Sequence, residues 1–353
     1  MSAVVFDAPP ATATHPWMPT SPCTAGCVQR TDPAGGARIA GRVLRLAGLM
    51  ASYPAAHVLT PAARREWLQR EYARAVLRGC GIELRVIDNR GSAAESSTRS
   101  ADPVSAESVA SGMTKRAPAR RGARYAEPGA GVLVVAGHIG WSDVVVLAAV
   151  QPLGFVARAD LIDWPMLGRL AQLMRIIPIE RERLRALPGV VAQIAERLAA
   201  GERVAAFPEG TTWCGRAYGK LRPALFQAAV GTGTPVQPVR LRYLDANGEP
   251  CTAPGFVGDD TFGTSARRVL GSRGIVAEIV LEPVQEPGTD RRDLARRCED
   301  LIRTPELSDG ARSALAAATR HIADAAARSA PRADADRLAI AENTWPAVEQ
   351  HSR

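Results

Sequence analysis

Lysine is almost absent from this chain. Of its 44 basic residues only Lys115 and Lys220 are lysines, and this arginine bias, beside abundant alanine, reflects genome composition rather than a selected function. Long apolar runs are also missing. No stretch of about 18 or more uninterrupted apolar residues occurs, so no transmembrane helix is expected. The N-terminus carries Asp7 and several prolines in place of a basic and then apolar order, which excludes a secretory signal as the expectation. Cysteines are few and scattered: Cys23, Cys27, Cys80, Cys214, Cys251 and Cys298 form neither a disulfide framework nor paired C-x2-C units, and fit a reducing compartment. Cys23 and Cys27 make a C-x3-C pair with no second ligand pair in view, so no bound metal is expected.

Aromatics make up only 5% of the residues. The basic run Lys115, Arg116, Arg120, Arg121 and Arg124 is followed by the lone Tyr125, which argues against a stacking nucleic-acid surface and for a solvated or lipid-attracted loop. The net charge of +8 still favours anionic partners in general.

What is present is an ordinary globular mix of 353 residues, 46% hydrophobic and 23% charged, enough for one large domain or two small ones. Residues 1–36 are Pro-rich without periodic apolar content and are expected to be a disordered leader. Residues 37–78 carry helical patterns. From Arg38 to Tyr53, Arg38, Arg42 and Arg45 lie on one side and Ile39, Val43, Leu46, Ala47 and Met50 on another. This helix either lies in a membrane interface or packs on the domain with a wet basic side. In the first case the three arginines add roughly 3 kcal/mol at an anionic surface. A charged helix over Ala62 to Leu77 follows, then a half-wet strand on Ile82, Leu84 and Val86. Residues 89–130 read as a disordered insertion within a hairpin connection, and 305–353 as an Ala- and Arg-rich tail, helical or partly disordered.

Val132 to Val146 is the stretch that organises the rest. Val132 to Ala136 is apolar on both alternating faces, as a doubly buried strand should be. The strand stops at His138, and Asp143 falls in the first turn of the helix that follows. A carboxylate held against one imidazole nitrogen fixes the tautomer and leaves the other nitrogen to take a proton from a hydroxyl. A histidine that merely caps a turn beside an aspartate gives the same pattern.

Two further strand ends carry polar chemistry. Arg175 to Arg181, RIIPIER, puts Arg181 at the end of a short apolar strand, suited to a phosphate or to pairing with Glu180. Val204 to Phe207 runs into Pro208-Glu209-Gly210-Thr211-Thr212. Ligands of sheets with crossover helices bind outside the carboxyl ends of strands, so three such ends together favour a functional reading. Pro235 to Tyr243 reads as another strand, its prolines suggesting the strand's start or an edge position, and Gly274 to Leu281 as a later strand.

GHIGWSD, IPIER, FPEGTT and TPVQPV, in that order over roughly Gly79 to Pro283, resemble the four motifs of the glycerolipid acyltransferases, most nearly the 1-acylglycerol-3-phosphate branch. The resemblance implies a mixed, largely parallel α/β sheet flanked by helices over 79–304, with the N-terminal helix docking it on the cytoplasmic face of a membrane. It implies His138 as base for the acceptor hydroxyl, Asp143 as its orienting partner, Arg181 as phosphate ligand, and Glu209, Gly210 and Thr211 shaping the acceptor pocket. TPVQPV would be structural or line the acyl path. The acceptor would be lysophosphatidic acid or another lysolipid, and acyl-CoA or acyl-carrier protein would be the co-substrate, with no cofactor. Departures are Gly137 and Gly140, where the family usually has Asn and Ser or Thr, and Arg175, where it often has glycine. A serine hydrolase reading is weaker, since no G-x-S-x-G elbow precedes His138. A catalytically silent membrane-binding homologue is the reading from another class.

Overall fold

The computed structural model describes residues 18–29, 33–90, 123–159 and 175–303. Strands β1 (Ile82–Asp88), β2 (Val132–Ala136), β3 (Gly154–Arg158), β4 (Ile177–Ile179), β5 (Arg203–Ala206), β6 (Val236–Leu244) and β7 (Ile275–Leu281) form one sheet, ordered β1-β7-β6-β2-β5-β3-β4. Five of its six pairings are parallel and only β6 with β7 is antiparallel. The mixed, largely parallel sheet expected from the sequence is therefore present, with the carboxyl ends of β2, β3, β4 and β5 along one edge. Helices are α1 (Gly36–Leu59), α2 (Arg65–Cys80), α3 (Ser142–Val150), α4 (Leu187–Ala199), α5 (Gln227–Thr232), α6 (Phe262–Leu270) and α7 (Arg291–Arg303).

β2 shows why helices cover both faces. Its side chains alternate, so Val132, Val134 and Ala136 join one core with Leu77, Val146, Leu147 and Val269, from α2, α3 and α6. Leu133 and Val135 point the other way, against Ile194, Leu198, Ala228, Leu294 and Cys298 from α4, α5 and α7. All five β2 residues are buried, which fixes the strand firmly and makes its carboxyl end a rigid place for a side chain.

Several expectations need correction. The prolines of β6 suggested its start or an edge; Pro235 does stand directly before the strand, but β6 is no edge and lies inside the sheet between β7 and β2. Pro238 has no N–H for the ladder. The Gln237 side-chain amide takes its place, donating to the Glu282 carbonyl at 2.6 Å while Glu282 N–H donates to Pro238 O at 3.1 Å. β3 has no place among the strands read from the sequence, since Pro152 before it and Gly154 at its start are turn-type residues. Gly154 instead opens a strand, where a Cβ would stand 3.1 Å from the Arg175 carbonyl. β1 and β2 form no hairpin, since β7 and β6 lie between them.

The leader is packed where it is described. Cys23 is buried with Cys214 and Val257, Gln29 N–H donates to Thr252 Oγ1 at 2.7 Å, and Pro33 bridges to Ser272. Tertiary contacts thus compensate for absent periodicity, as local pattern cannot show. On the far side of the 89–130 segment, Tyr125 is buried and donates from its hydroxyl to Leu147 O at 2.9 Å. Residues 1–17, the heart of the insertion with Lys115, Arg116, Arg120 and Arg121, and the 305–353 tail lie outside the described residues.

α1 exists, but its faces differ from those expected. Leu46 turns inward against Gly79 of α2, and Arg42 is half-buried, donating to the carbonyls of Leu270 at 2.6 Å and Ser272 at 2.7 Å beyond the end of α6. A cation satisfying helix-terminal carbonyls is a structural element, so Arg42 is not a headgroup ligand. Val43, Leu44, Met50, Val58 and Leu59 are exposed, Leu59 by 81%. Among the described residues no helix is long and apolar enough to cross a membrane.

Candidate active site

The turn from β2 into α3 brings His138 and Asp143 together, with Nδ1 2.9 Å from Oδ2. The same Oδ2 accepts the N–H groups of Ile139 at 2.6 Å and Gly140 at 3.0 Å. Asp143 therefore holds the turn as well as the ring, as a carboxylate in a helix's first turn can. Because a carboxylate only accepts, Nδ1 carries the proton and Nε2 keeps a lone pair. Nε2 has no hydrogen-bond partner among the described residues, and the ring is 15% exposed. Its face stacks on Phe207 with centroids 4.0 Å apart and planes 11° from parallel, so the ring is fixed in rotation and tautomer.

Beneath the dyad lies a polar chain that the sequence did not disclose. Tyr243, on β6, donates to Asp143 Oδ1 at 2.8 Å. Having spent its one proton, its oxygen accepts from Ser142 Oγ at 2.7 Å. Both Ser142 and Asp143 are fully buried, and burial pushes the Tyr243 phenol well above its ordinary range. Ser142 is thus a structural donor with no access to substrate, which removes the serine hydrolase reading.

Glu209 follows β5, the neighbour of β2 in the sheet. Its Oε2 accepts the His138 backbone N–H at 2.7 Å, and its Oε1 accepts Gly219 N–H at 3.2 Å and the Arg303 guanidinium. Burial pushes its carboxyl up, while Arg303 and the His138 N–H pull it down. These bonds use the carboxylate internally, so Glu209 braces the His138 turn from behind. Arg303, at the end of α7, also donates to Gly219 O at 3.0 Å and lies 4.4 Å over the Tyr218 ring. It stands outside every motif, and only the fold places it here.

The glycines that depart from the family pattern now have reasons. A Cβ on Gly140 would lie 2.2 Å from the Pro254 carbonyl, where the backbone of Phe256 pairs with Ile139 at 2.8 Å. One on Gly137 would lie 3.0 Å from Arg303 Nη1, so the missing side chain leaves room for the arginine. Arg175 keeps the left-handed backbone, φ 52°, that a glycine would adopt without strain.

The other expected residues are less closely gathered. Gly210 sits at φ 77° in the turn after Glu209, with Pro19 of the leader against it. Thr211 is half-buried beside it, and the next hydroxyl, on Thr212, donates to Phe256 O. Arg181, half-buried past β4, shares the carboxyl edge but stands three strand spacings of about 4.8 Å, roughly 14 Å, from the β2 end. A concavity lined by Glu182, Arg183, Leu184, Arg185 and Ala186 begins beside it and includes none of the dyad. The expectation of no metal cluster meets a different fact: Cys214, in the loop after Glu209, brings its sulfur within 4.8 Å of both Cys23 and Cys27. A fold can assemble ligands that sequence spacing hides.

The sequence profile of the Acyltransferase family matches residues 118–242. The chain is 35% identical over 177 residues to a lyso-ornithine lipid O-acyltransferase of Pseudomonas aeruginosa, covering 49% of this chain and 66% of that protein. It is 30% identical over 181 residues to a 1-acyl-sn-glycerol-3-phosphate acyltransferase of Neisseria gonorrhoeae, covering 51% and 71%. In structure it is similar to the 1-acyl-sn-glycerophosphate acyltransferase of Thermotoga maritima, with a TM-score of 0.51 at 13% identity, covering 76% of this chain and 92% of that one.

Proposed function

The chain belongs to the acyltransferase family, and from that premise and the His138–Asp143 geometry we propose that it moves a fatty acyl group from a thioester to the free hydroxyl of a lysolipid. The observation that carries the reading is the imidazole whose Nδ1 is held by Asp143 at 2.9 Å while Nε2 keeps its lone pair. His138 Nε2 takes the hydroxyl proton as the oxygen attacks the thioester carbonyl. The tetrahedral intermediate collapses, the C–S bond breaks, and the proton passes from His138 to the leaving thiolate. The acyl group goes directly to the acceptor with no acyl-enzyme. Positioning and the base supply the rate, the base contributing about 10²–10⁴-fold. No cofactor takes part; acyl-CoA or acyl-carrier protein is the co-substrate.

The acceptor of the first reading is 1-acyl-sn-glycerol 3-phosphate, with Arg181 at its phosphate and the turn of Glu209, Gly210 and Thr211 shaping its pocket. Because the phosphate sits on the carbon next to the reacting hydroxyl, this reading requires the long Arg181 side chain to reach inward from the β4 end toward the β2 end. A second reading, a lyso-ornithine lipid acceptor, is favoured by the relatives of that name at 35% and 34% identity. The test is purified protein with labelled acyl-CoA and a panel of lysolipids, reading the acylated product. On the first reading the phosphorylated lysolipid turns over fastest and Arg181→Ala raises its KM more than that of the thioester. Preference for lyso-ornithine lipid selects the second, and no product from any lysolipid overturns both.

Attachment to the cytoplasmic face of a membrane is part of the proposal, since acceptor and product are lipids. The exposed apolar side of α1 supports it, flanked by exposed Arg38 and Arg45. Those two residues contribute about 2 kcal/mol at an anionic surface, less than the three-arginine figure because Arg42 is engaged. Combined Leu44→Ser, Val58→Ser and Leu59→Ser should weaken liposome binding by about two powers of ten, at even ~1 kcal/mol for each partly inserted side chain. Unchanged sedimentation with anionic vesicles would remove α1 as the docking element.

A further inference from the structure

Cys23 and Cys27 come from the leader, with Ala25–Cys27 coiled as one short helical turn, and Cys214 comes from the loop that begins at Glu209. Their three sulfurs lie within 4.8 Å of one another, although Cys214 is far along the chain. Three thiolates around one tetrahedral Zn²⁺ stand about 3.8 Å apart, as follows from Zn–S bonds of about 2.3 Å. The gathering is therefore a small contraction away from a coordination shell. We propose that Cys23, Cys27 and Cys214 form a thiolate site for a thiophilic metal ion, with Zn²⁺ as the occupant and water in its fourth position.

The surroundings suit a charged sulfur cluster. Burial disfavours charge on both thiols and leaves Cys23 raised, but the nearby backbone N–H groups of Arg216 and Ala217 offset it at Cys214, and that of Cys214 opposes it at Cys23. Such outer-shell donors stabilise thiolates and hold them in orientation. Val257, Trp213 and Ala217 pack around the sulfurs and limit water. Cys27 is half-buried, which leaves an entry for the ion.

The position gives the site its consequence. Trp213, beside Cys214, donates its backbone N–H to the His138 carbonyl at 2.8 Å. Pro19 rests on Gly210, and Arg216 donates to Gln29 Oε1 at 2.7 Å. A metal ion here would cross-link the leader to the loop carrying Glu209 and so strengthen the packing that already holds the leader over that turn. The role is structural and independent of which acceptor is acylated.

The test uses the full chain, reduced and purified, in three measurements. Elemental analysis should find one zinc per chain. Removing the metal and adding Co²⁺ should produce sulfur-to-cobalt charge transfer that saturates at one equivalent. Proteolysis within residues 18–29 should be slower in the loaded protein than in the stripped one. Cys27→Ser, at the half-buried position, should weaken Co²⁺ affinity by more than about 100-fold, since even losing an outer-shell partner costs about 10–100-fold. Cys251→Ser, a buried thiol outside the cluster, should leave it unchanged. One equivalent of copper in place of zinc, with the same cysteine dependence, supports the thiolate site and reassigns its ion. No metal and no charge transfer, equal affinity in Cys27→Ser, or a mass deficit of one disulfide in the untreated protein would overturn it.

Discussion

Replacing Asp143 by asparagine changes one charge and little else. The two backbone donors, Ile139 N–H at 2.6 Å and Gly140 N–H at 3.0 Å, both aim at Oδ2, so the asparagine carbonyl must take that position. The amide nitrogen then replaces Oδ1 and faces Tyr243. The Tyr243 hydroxyl can turn to accept from it and donate to Ser142, reversing the 2.8 and 2.7 Å bonds without moving an atom heavier than hydrogen. The turn and the His138 tautomer should both survive. What is lost is the carboxylate beside a developing imidazolium. A unit charge 2.9 Å from Nδ1 is worth about 6 kcal/mol at an effective dielectric of about 20. A neutral acceptor retains roughly half of that, leaving a loss of about 3 kcal/mol, or about 10²-fold in kcat. The tautomer inversion that makes the analogous change cost about 10⁴-fold in a serine protease triad is blocked here by the two N–H groups. The assay is kcat at saturating lysolipid and thioester, with circular dichroism and Tm measured beside it. Near-normal kcat in a folded Asp143→Asn protein would refute the dyad.

Tyr243→Phe leaves Asp143 Oδ1 and Ser142 Oγ without their partner in the core, so it should lower stability by about 1–3 kcal/mol and reduce kcat less than Asp143→Asn; unchanged stability in denaturant titration would contradict the buried chain. Gly140→Ala drives a Cβ toward the Pro254 carbonyl, 2.2 Å away, and should cost about 1–3 kcal/mol by overpacking, seen as a lowered Tm. Glu209 has its folded pKa raised by burial, against Arg303 and the His138 N–H. The folded chain therefore binds more protons at this site than the unfolded one, and its contribution falls as pH rises from the ordinary value near 4.3 to the higher folded one. Glu209→Gln cannot titrate, so the stability of wild type minus variant should decline across that window; a rising difference would reverse the assignment.

Much of this arrangement was legible in the residues because it is local. β2 is apolar on both faces and ends at His138, with Asp143 five positions on in a helix's first turn, so chain connectivity alone brings them together. The carboxyl edge shared by β2, β4 and β5 followed from parallel strands. Tyr243, Arg303 and Cys214 were not legible, because each reaches the site from a different element through tertiary packing. Gln237 was misjudged with its strand for a related reason: a side chain supplied the donor that proline withheld. Arg42 was misread because a solvent-facing arginine and one closing a neighbouring helix share the same helical spacing.

The central claim is that His138 is the general base of a direct acyl transfer to a lysolipid hydroxyl. Wild type and His138→Ala are each incubated with labelled acyl-CoA, with and without the lysolipid that gives product, while mass spectrometry follows both the lipid and the protein. The account predicts acylated lipid from wild type only in the presence of acceptor, no acylated protein at any time, and at least a 10²-fold loss in a folded His138→Ala protein. A stable acyl-enzyme, or product formed by His138→Ala at the wild-type rate, would contradict it.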